Sequence, residues 1–225
     1  VRSAQHEIFP AAAADITAAT GFAVAVASRA SGSRPLLVIW QDFFDIETGR
    51  LNASGLRELG LDPAHLVLVR AADATAALRA AEQGARCPSL GGVLLAVWGT
   101  PSVLNLTASR RLTLASGGSG VPVFLLRAAA SPAPSAAATR WLVAAAPSRA
   151  LAANAPGFPA FQARLIRHRG GLPAGTWHVE WNRDRTCFRD RDLRGAETLP
   201  RTVVSVPADR STAALERPGY WRKAG

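Results

Sequence analysis

Short apolar runs that alternate with longer helix-like stretches are the feature that most constrains the fold of this chain. Residues 36–40 (LLVIW) and 93–98 (VLLAVW) are continuous apolar runs, with no polar residue on alternate positions. Such runs are typical of parallel strands, because helices cover both faces of a parallel sheet. The pattern therefore predicts an α/β protein, built from βαβ units around a mostly parallel sheet.

The same pattern gives the order of the elements. We expect strands at 5–9, 35–41, 65–70, 91–98, 121–127 and 139–145. Helices are predicted between them at about 15–29, 54–60, 74–86 and 106–116. Asp15 and Asp73 are the predicted N-caps of the first and third of these helices, since Asp favours that position.

The character of the chain changes after Pro147. Residues 161–169 and 176–182 predict a β-hairpin, because the residues of the second segment alternate between apolar and polar. A strand at 186–189 would complete a small antiparallel meander. We therefore expect a core at 1–150, a hairpin extension at 151–194 and a flexible C-terminal tail at 195–225.

Charge is concentrated in the C-terminal third. The chain has 26 Lys and Arg residues against 16 acids, a net charge of +10, and residues 151–225 contain 12 Arg and Lys223 against 7 acids. One interpretation is a surface that contacts phosphates or a protein partner, with Trp177 and Trp181 nearby. The other is a solvated strand face, partly neutralised by Asp184, Asp190 and Asp192, with both tryptophans in the core. The candidate contact residues are Arg164, Arg167, Arg169, Arg183, Arg185 and Arg189.

Several classes of protein are not expected. No apolar run is long enough for a membrane span, and the N-terminus lacks the layout of a signal peptide, which predicts a cytoplasmic protein with no membrane partner. Cys87 and Cys187 are far apart, so reduced thiols are expected. A metal site is not expected either, because the spacing of the available ligands fits no zinc pattern. Those ligands are His168, His178, Glu180 and Cys187.

The segment after the first strand is where a nucleotide-binding fold has its phosphate loop. That loop needs glycines whose amides face phosphate, followed by a Lys and a Ser or Thr. Here the segment is Pro10, Ala11, Ala12, Ala13, Ala14, Asp15, Ile16 and Thr17. Pro10 lacks an amide donor, Asp15 brings a negative charge to the helix start, and the only Lys is Lys223. We expect no binding of Mg-ATP, no cofactor and no enzymatic activity.

No other residue type supplies a convincing catalytic group. Gln41 and Asp42 follow the second strand, where a catalytic acid pair could lie, but glutamine is not a general base. We interpret both residues as structural or solvated.

The order of these elements resembles the core of the RecA recombinase. The segment 5–9 (QHEIF) resembles the strand that enters the RecA phosphate loop, and Gln41 falls at the position of its catalytic glutamate. More specifically, phrases over about 5–189 resemble ImuA, a degenerate RecA relative of bacterial SOS mutagenesis cassettes. These phrases include HEIFPAAAAD, RCPSLGGVLLAVWGTP, LTASRRLTLA and HVEWNRD.

The resemblance implies a RecA-like three-layer core without ATP chemistry. It also implies an accessory role in error-prone translesion synthesis, beside ImuB and an error-prone DnaE-type polymerase, with RecA and DNA as further candidate partners. The alternative function is binding of single-stranded DNA, or modulation of RecA filaments, by the Arg-rich C-terminal third.

Overall fold

Nine strands form one sheet in the described part of the chain. The structure is a computed structural model that describes residues 3–190, so the tail expected at 195–225 lies outside the described residues. The strands, in chain order, are β1 Gln5–Pro10, β2 Leu36–Gln41, β3 Leu66–Ala71, β4 Gly92–Trp98, β5 Val123–Ala128, β6 Thr139–Ala145, β7 Ala160–His168, β8 Gly175–Asn182 and β9 Cys187–Asp190.

The sheet is parallel in its first part and antiparallel in its second. Its strand order is β3-β2-β4-β5-β1-β6-β7-β8-β9. Strands β1 to β6 pair in parallel, and β7, β8 and β9 add to β6 as antiparallel neighbours. The predicted α/β class, with a mostly parallel sheet and a C-terminal antiparallel meander, is confirmed.

Five α-helices connect the strands. They are α1 Ile16–Ser31, α2 Asp42–Thr48, α3 Ala53–Glu58, α4 Ala74–Ala85 and α5 Leu106–Ser119. From β1 to β3 the successive strands are added in the direction of the β3 edge of the sheet, and from β3 to β6 they are added in the opposite direction. Because parallel crossovers keep one hand, α1 packs on one face of the sheet and α4 and α5 pack on the other. We name these the α1 face and the α5 face.

The antiparallel strands are part of the main core. Phe161 of β7 and Trp181 of β8 are buried with Phe22 of α1 and Trp40 of β2 in one cluster on the α1 face. Phe188 of β9 packs against this cluster. The meander therefore continues the sheet, and its apolar side chains help to cover α1.

A β-bulge interrupts β7. The register pairs Arg140 of β6 with Arg167, but the next residue, Trp141, pairs with Leu165. Ile166 is thus an extra residue in β7. An extra residue reverses the alternation of side chains, because successive residues of a strand point to opposite faces.

The bulge places two of the predicted contact residues on one face. Arg164 lies opposite Leu142, and Arg167 lies opposite Arg140. Both β6 residues belong to the α5 face, since their neighbour Val143 is buried in the core under α1. Without the bulge, two residues three positions apart would point to opposite faces. The bulge therefore brings both arginines to the α5 face.

The local differences from the predicted elements are few. Helix α2 and three short 3-10 helices were not predicted, whereas the strands and the other α-helices of the described residues lie within a few residues of their predicted bounds. Asp73 caps α4 by accepting a hydrogen bond from the Ala76 amide at 2.7 Å. Asp15 occupies the N-cap position of α1, but the prediction that its side chain caps the helix is wrong. Among residues 3–190, none of the helices combines the length and the apolar character that a membrane span needs.

Candidate functional site

The segment at the phosphate-loop position is fastened by the side chain of Asp15. Its Oδ2 accepts a hydrogen bond from the Ala12 amide at 3.1 Å, and its Oδ1 accepts one from the Ala145 amide at 2.9 Å. The Ala11 amide donates to the Val143 carbonyl at 2.8 Å. The carboxylate thus ties the start of α1 to the end of β6.

This geometry leaves the segment poorly suited to phosphate. A phosphate loop offers several free amides to the ligand at a helix N-terminus. Here the Ala11 and Ala12 amides already have protein acceptors, and Pro10 has no amide hydrogen. The Asp15 carboxylate supplies negative charge where a phosphate oxygen would lie, so a triphosphate would meet repulsion and occupied donors.

The candidate residues at the end of β2 also make structural contacts. Gln41, at the end of β2, accepts a hydrogen bond from the Trp98 amide at 2.9 Å and so bridges two strands at their carboxyl ends. The Asp42 carboxylate accepts hydrogen bonds from Nε and Nη2 of Arg70 at 3.0 and 2.7 Å. Both side chains therefore hold elements together.

A buried ion pair lies on the α5 face of the central strands. Glu7 of β1 and Arg140 of β6 are register partners, and they are 2 % and 8 % exposed. Nε of Arg140 donates to the Glu7 carboxylate at 2.8 Å. The same guanidinium donates to the Ser135 hydroxyl at 2.8 Å and to the Ala133 carbonyl. Arg140 therefore anchors the connection between β5 and β6.

A second buried arginine lies beside this pair. Arg127, at the end of β5, is 6 % exposed, and its guanidinium lies 5.7 Å from the centre of the Phe9 ring. Its Nη2 donates to the Gly99 carbonyl at 3.3 Å. Burial lowers the pKa of Arg127, the nearby Glu7 carboxylate raises it, and Arg140 lowers it further. Glu7 therefore offsets the positive charge of two buried guanidinium groups.

An open groove on the α5 face combines basic and aliphatic side chains. Its volume is about 500 Å³. Helix α5, the end of β7 and the connection between β5 and β6 form its walls, and none of the lining residues within 3–190 is a carboxylate. We define the arginine groove by six of its lining residues: Leu106, Arg110, Leu114, Pro134, Arg167 and Arg169.

The six candidate contact residues lie at three different places in the structure. Arg164, Arg167 and Arg169 lie together near the end of β7, and the last two line the arginine groove. Arg183 instead forms an ion pair with Glu58 of α3, at 2.9 Å. The remaining two lie in or beside β9, away from the arginine groove: Arg185 and Arg189. One continuous surface with all six arginines is therefore not formed.

The two tryptophans lie on the face opposite Arg164 and Arg167. Trp181 is fully buried, which confirms the interpretation of this residue as core. Trp177 is 41 % exposed and contacts the Trp141 ring, with the ring centres 5.7 Å apart, so its assignment to the core is wrong. Both lie on the α1 face, because β8 alternates strictly.

Sequence reasoning missed one arginine of the groove. Arg110 comes from α5, more than fifty residues before Arg167. The available signal was local, since the pair Arg110-Arg111 lies in a helix without any Asp or Glu. That signal predicts a basic helix, but it does not predict that the helix lies beside the end of β7.

The candidate metal ligands are also separated. His168 lines a cavity on the α1 face, and its Nδ1 accepts a hydrogen bond from the Gly170 amide at 3.1 Å. His178 pairs with Gln162 and points to the other face. Within residues 3–190, no three His, Cys, Asp or Glu side chains are grouped closely enough to hold a metal ion.

Comparisons with known proteins show similarity at the level of structure and not at the level of sequence. No protein-family model and no curated protein matches the chain. The crystal structure of SulA from Pseudomonas aeruginosa is similar, with 18 % sequence identity and a TM-score of 0.43. The match covers 55 % of this chain and 97 % of the SulA chain. Values of this size do not assign a function.

Proposed function

We propose that this protein is a non-catalytic accessory factor of SOS-induced, error-prone translesion DNA synthesis. In this proposal an ImuA-type protein with a RecA-like core acts in the cytoplasm as an adaptor. It binds an ImuB-type protein directly and a DnaE-type polymerase through that protein, and RecA is a further candidate partner.

The observation that carries the proposal is the position of Asp15. Its carboxylate accepts hydrogen bonds from the Ala12 and Ala145 amides at the place where a nucleotide-binding fold holds phosphate. The β1–α1 connection is present, but its Ala11 and Ala12 amides donate hydrogen bonds to other groups of the protein. This combination supports a fold that is retained for recognition rather than for ATP hydrolysis.

Binding of single-stranded DNA has weaker support. Sequence-tolerant DNA binding combines a basic groove with aromatic rings on which bases stack. Arg164 and Arg167 lie on the α5 face, whereas Trp177 lies on the α1 face. The separation of the two residue types by the sheet favours a protein adaptor over a single-strand binder.

The adaptor proposal predicts nucleotide-independent binding of the ImuB-type protein. We expect the full chain to co-purify with it in the same molar ratio in two conditions, one with added Mg-ATP and one in which apyrase and EDTA remove nucleotide. The reason is that Asp15 and the Ala11 and Ala12 amides of this segment are already hydrogen-bonded to other protein groups. The measurement is size-exclusion chromatography of the purified pair, followed by quantification of both bands.

A protein that binds its partner only in the ATP-bound state, as a RecA-type switch would, gives a different result. A complex that forms only with Mg-ATP, or the absence of any complex in either condition, would contradict the proposal.

A further inference from the structure

We infer that the arginine groove is the docking site for an acidic, leucine-bearing peptide segment of a protein partner. This inference rests on the proposed adaptor function and specifies the chemistry of the partner that the groove accepts.

The charge of the groove requires an anionic partner. Arg110, Arg167 and Arg169 line it, and none of the three forms an ion pair with a carboxylate of the described residues. Among residues 3–190, the Arg167 guanidinium donates only to the Ser135 carbonyl, at 3.3 Å. Three guanidinium groups around one groove therefore attract acidic side chains, which they can bind in bidentate geometry.

The aliphatic part of the groove requires apolar side chains on the same partner. Leu114 is 75 % exposed and Leu106 is 39 % exposed, although both belong to α5. Pro134 is exposed on the opposite wall. A leucine side chain of a partner would cover these surfaces while its acidic neighbours reach the arginines.

The composition of the groove distinguishes a peptide from a nucleic acid. None of the described residues that line it is aromatic, and Trp177, which is exposed on β8, lies on the α1 face. The phosphates of single-stranded DNA would therefore contact the arginines, but its bases would have no aromatic ring on which to stack. Acidic and aliphatic side chains in one segment match the arginines and the aliphatic residues that line the groove.

Fluorescence anisotropy with labelled probes tests the inference on the full chain. The first probe is a short peptide that alternates pairs of Leu and Glu, the second replaces each Leu with Ser, and the third is oligothymidylate. We expect the Leu–Glu peptide to bind at least about tenfold more tightly than either other probe, because it alone uses both the basic and the aliphatic walls.

Substitutions locate the binding. The double variant Arg110→Glu/Arg167→Glu should weaken binding of the Leu–Glu peptide at least about tenfold, and Leu114→Ser should weaken it about threefold to tenfold. A matched control, Arg34→Glu/Arg57→Glu, changes the net charge equally at exposed residues outside the groove and should bind like the wild type. Arg110→Gln/Arg167→Gln repeats the test without added carboxylates, and circular dichroism checks that each variant is folded.

Two results would overturn the inference. The first is tighter binding of oligothymidylate than of the Leu–Glu peptide, with loss in the arginine variants and no effect of Leu114→Ser; the groove would then be a nucleic-acid surface. The second is absence of peptide binding, or equal binding by the arginine variants and the control. If the ImuB-type protein co-purifies while either result holds, this inference fails and the adaptor function stands. If the peptide binds the groove but the ImuB-type protein does not co-purify, the adaptor function fails.

Discussion

Replacing Glu7 with glutamine should destabilise the protein by about 3–5 kcal/mol, because a buried ion pair loses one partner. The substitution keeps the shape of the side chain but removes the charge that Arg140 contacts at 2.8 Å. Arg127, also buried, lies close enough for Glu7 to raise its pKa. Two buried guanidinium groups would then lack a compensating carboxylate, and urea unfolding followed by circular dichroism measures the loss.

An exposed ion pair provides the control for this prediction. Glu58→Gln removes the carboxylate that Arg183 contacts at 2.9 Å, but both side chains are substantially exposed, so a loss of about 0–1 kcal/mol is expected. In the double variant Glu7→Gln/Arg140→Met, part of the lost stability should return, since the unpaired charge of Arg140 is removed while that of Arg127 remains. Equal stability of Glu7→Gln and wild type would show that the charge of Glu7 contributes nothing to the core.

Replacing Trp181 with alanine should cost about 3–5 kcal/mol, as expected for truncation of a large buried aromatic side chain. Trp181 is fully buried, its ring centre lies 5.0 Å from that of Phe188, and its Nε1 donates to the Glu58 carbonyl at 2.9 Å. The side chain therefore links β8 to β9 and to α3. Urea unfolding measures the loss, and Trp181→Phe gives a smaller, measurable change if the alanine variant does not fold.

Trp177 is the matched control, because it is the same residue type on the same strand and the same face. It is 41 % exposed, so Trp177→Ala should cost less than about 2 kcal/mol. A similar loss for both variants, or a negligible loss for Trp181→Ala, would mean that the meander adds little to the core.

The parallel part of the fold could be predicted because its signal is local. The strand predicted at 35–41 is apolar almost throughout, and the structure has a strand at Leu36–Gln41. The same holds for Thr139–Ala145. Helix α2 was missed because it follows β2 directly and its sequence (DFFDIET) covers only about two helical turns, which is too short for a periodic pattern to be recognised.

The surface of the meander could not be predicted in the same way. Strict alternation from Arg164 places Arg167 on the opposite face, but the extra residue Ile166 reverses this. A bulge depends on the pairing with β6, which is not visible in the sequence of β7 alone.

The candidate site shows the same division between local and distant information. The Pro10–Thr17 segment could be recognised as unsuitable for phosphate from its residue types alone. The hydrogen bond from the Ala145 amide to Asp15 could not, since it joins residues 130 positions apart. The arginine groove likewise depends on the approach of α5 to the end of β7.

Equilibrium binding of Mg-ATP to the full chain, by isothermal titration calorimetry, tests the central claim most directly. We expect no saturable binding, or a Kd weaker than about 1 mM, because the Asp15 carboxylate repels phosphate and the Ala11 and Ala12 amides are already bonded. A Kd of about 1 μM that is lost when residues 10–17 are altered would contradict the account.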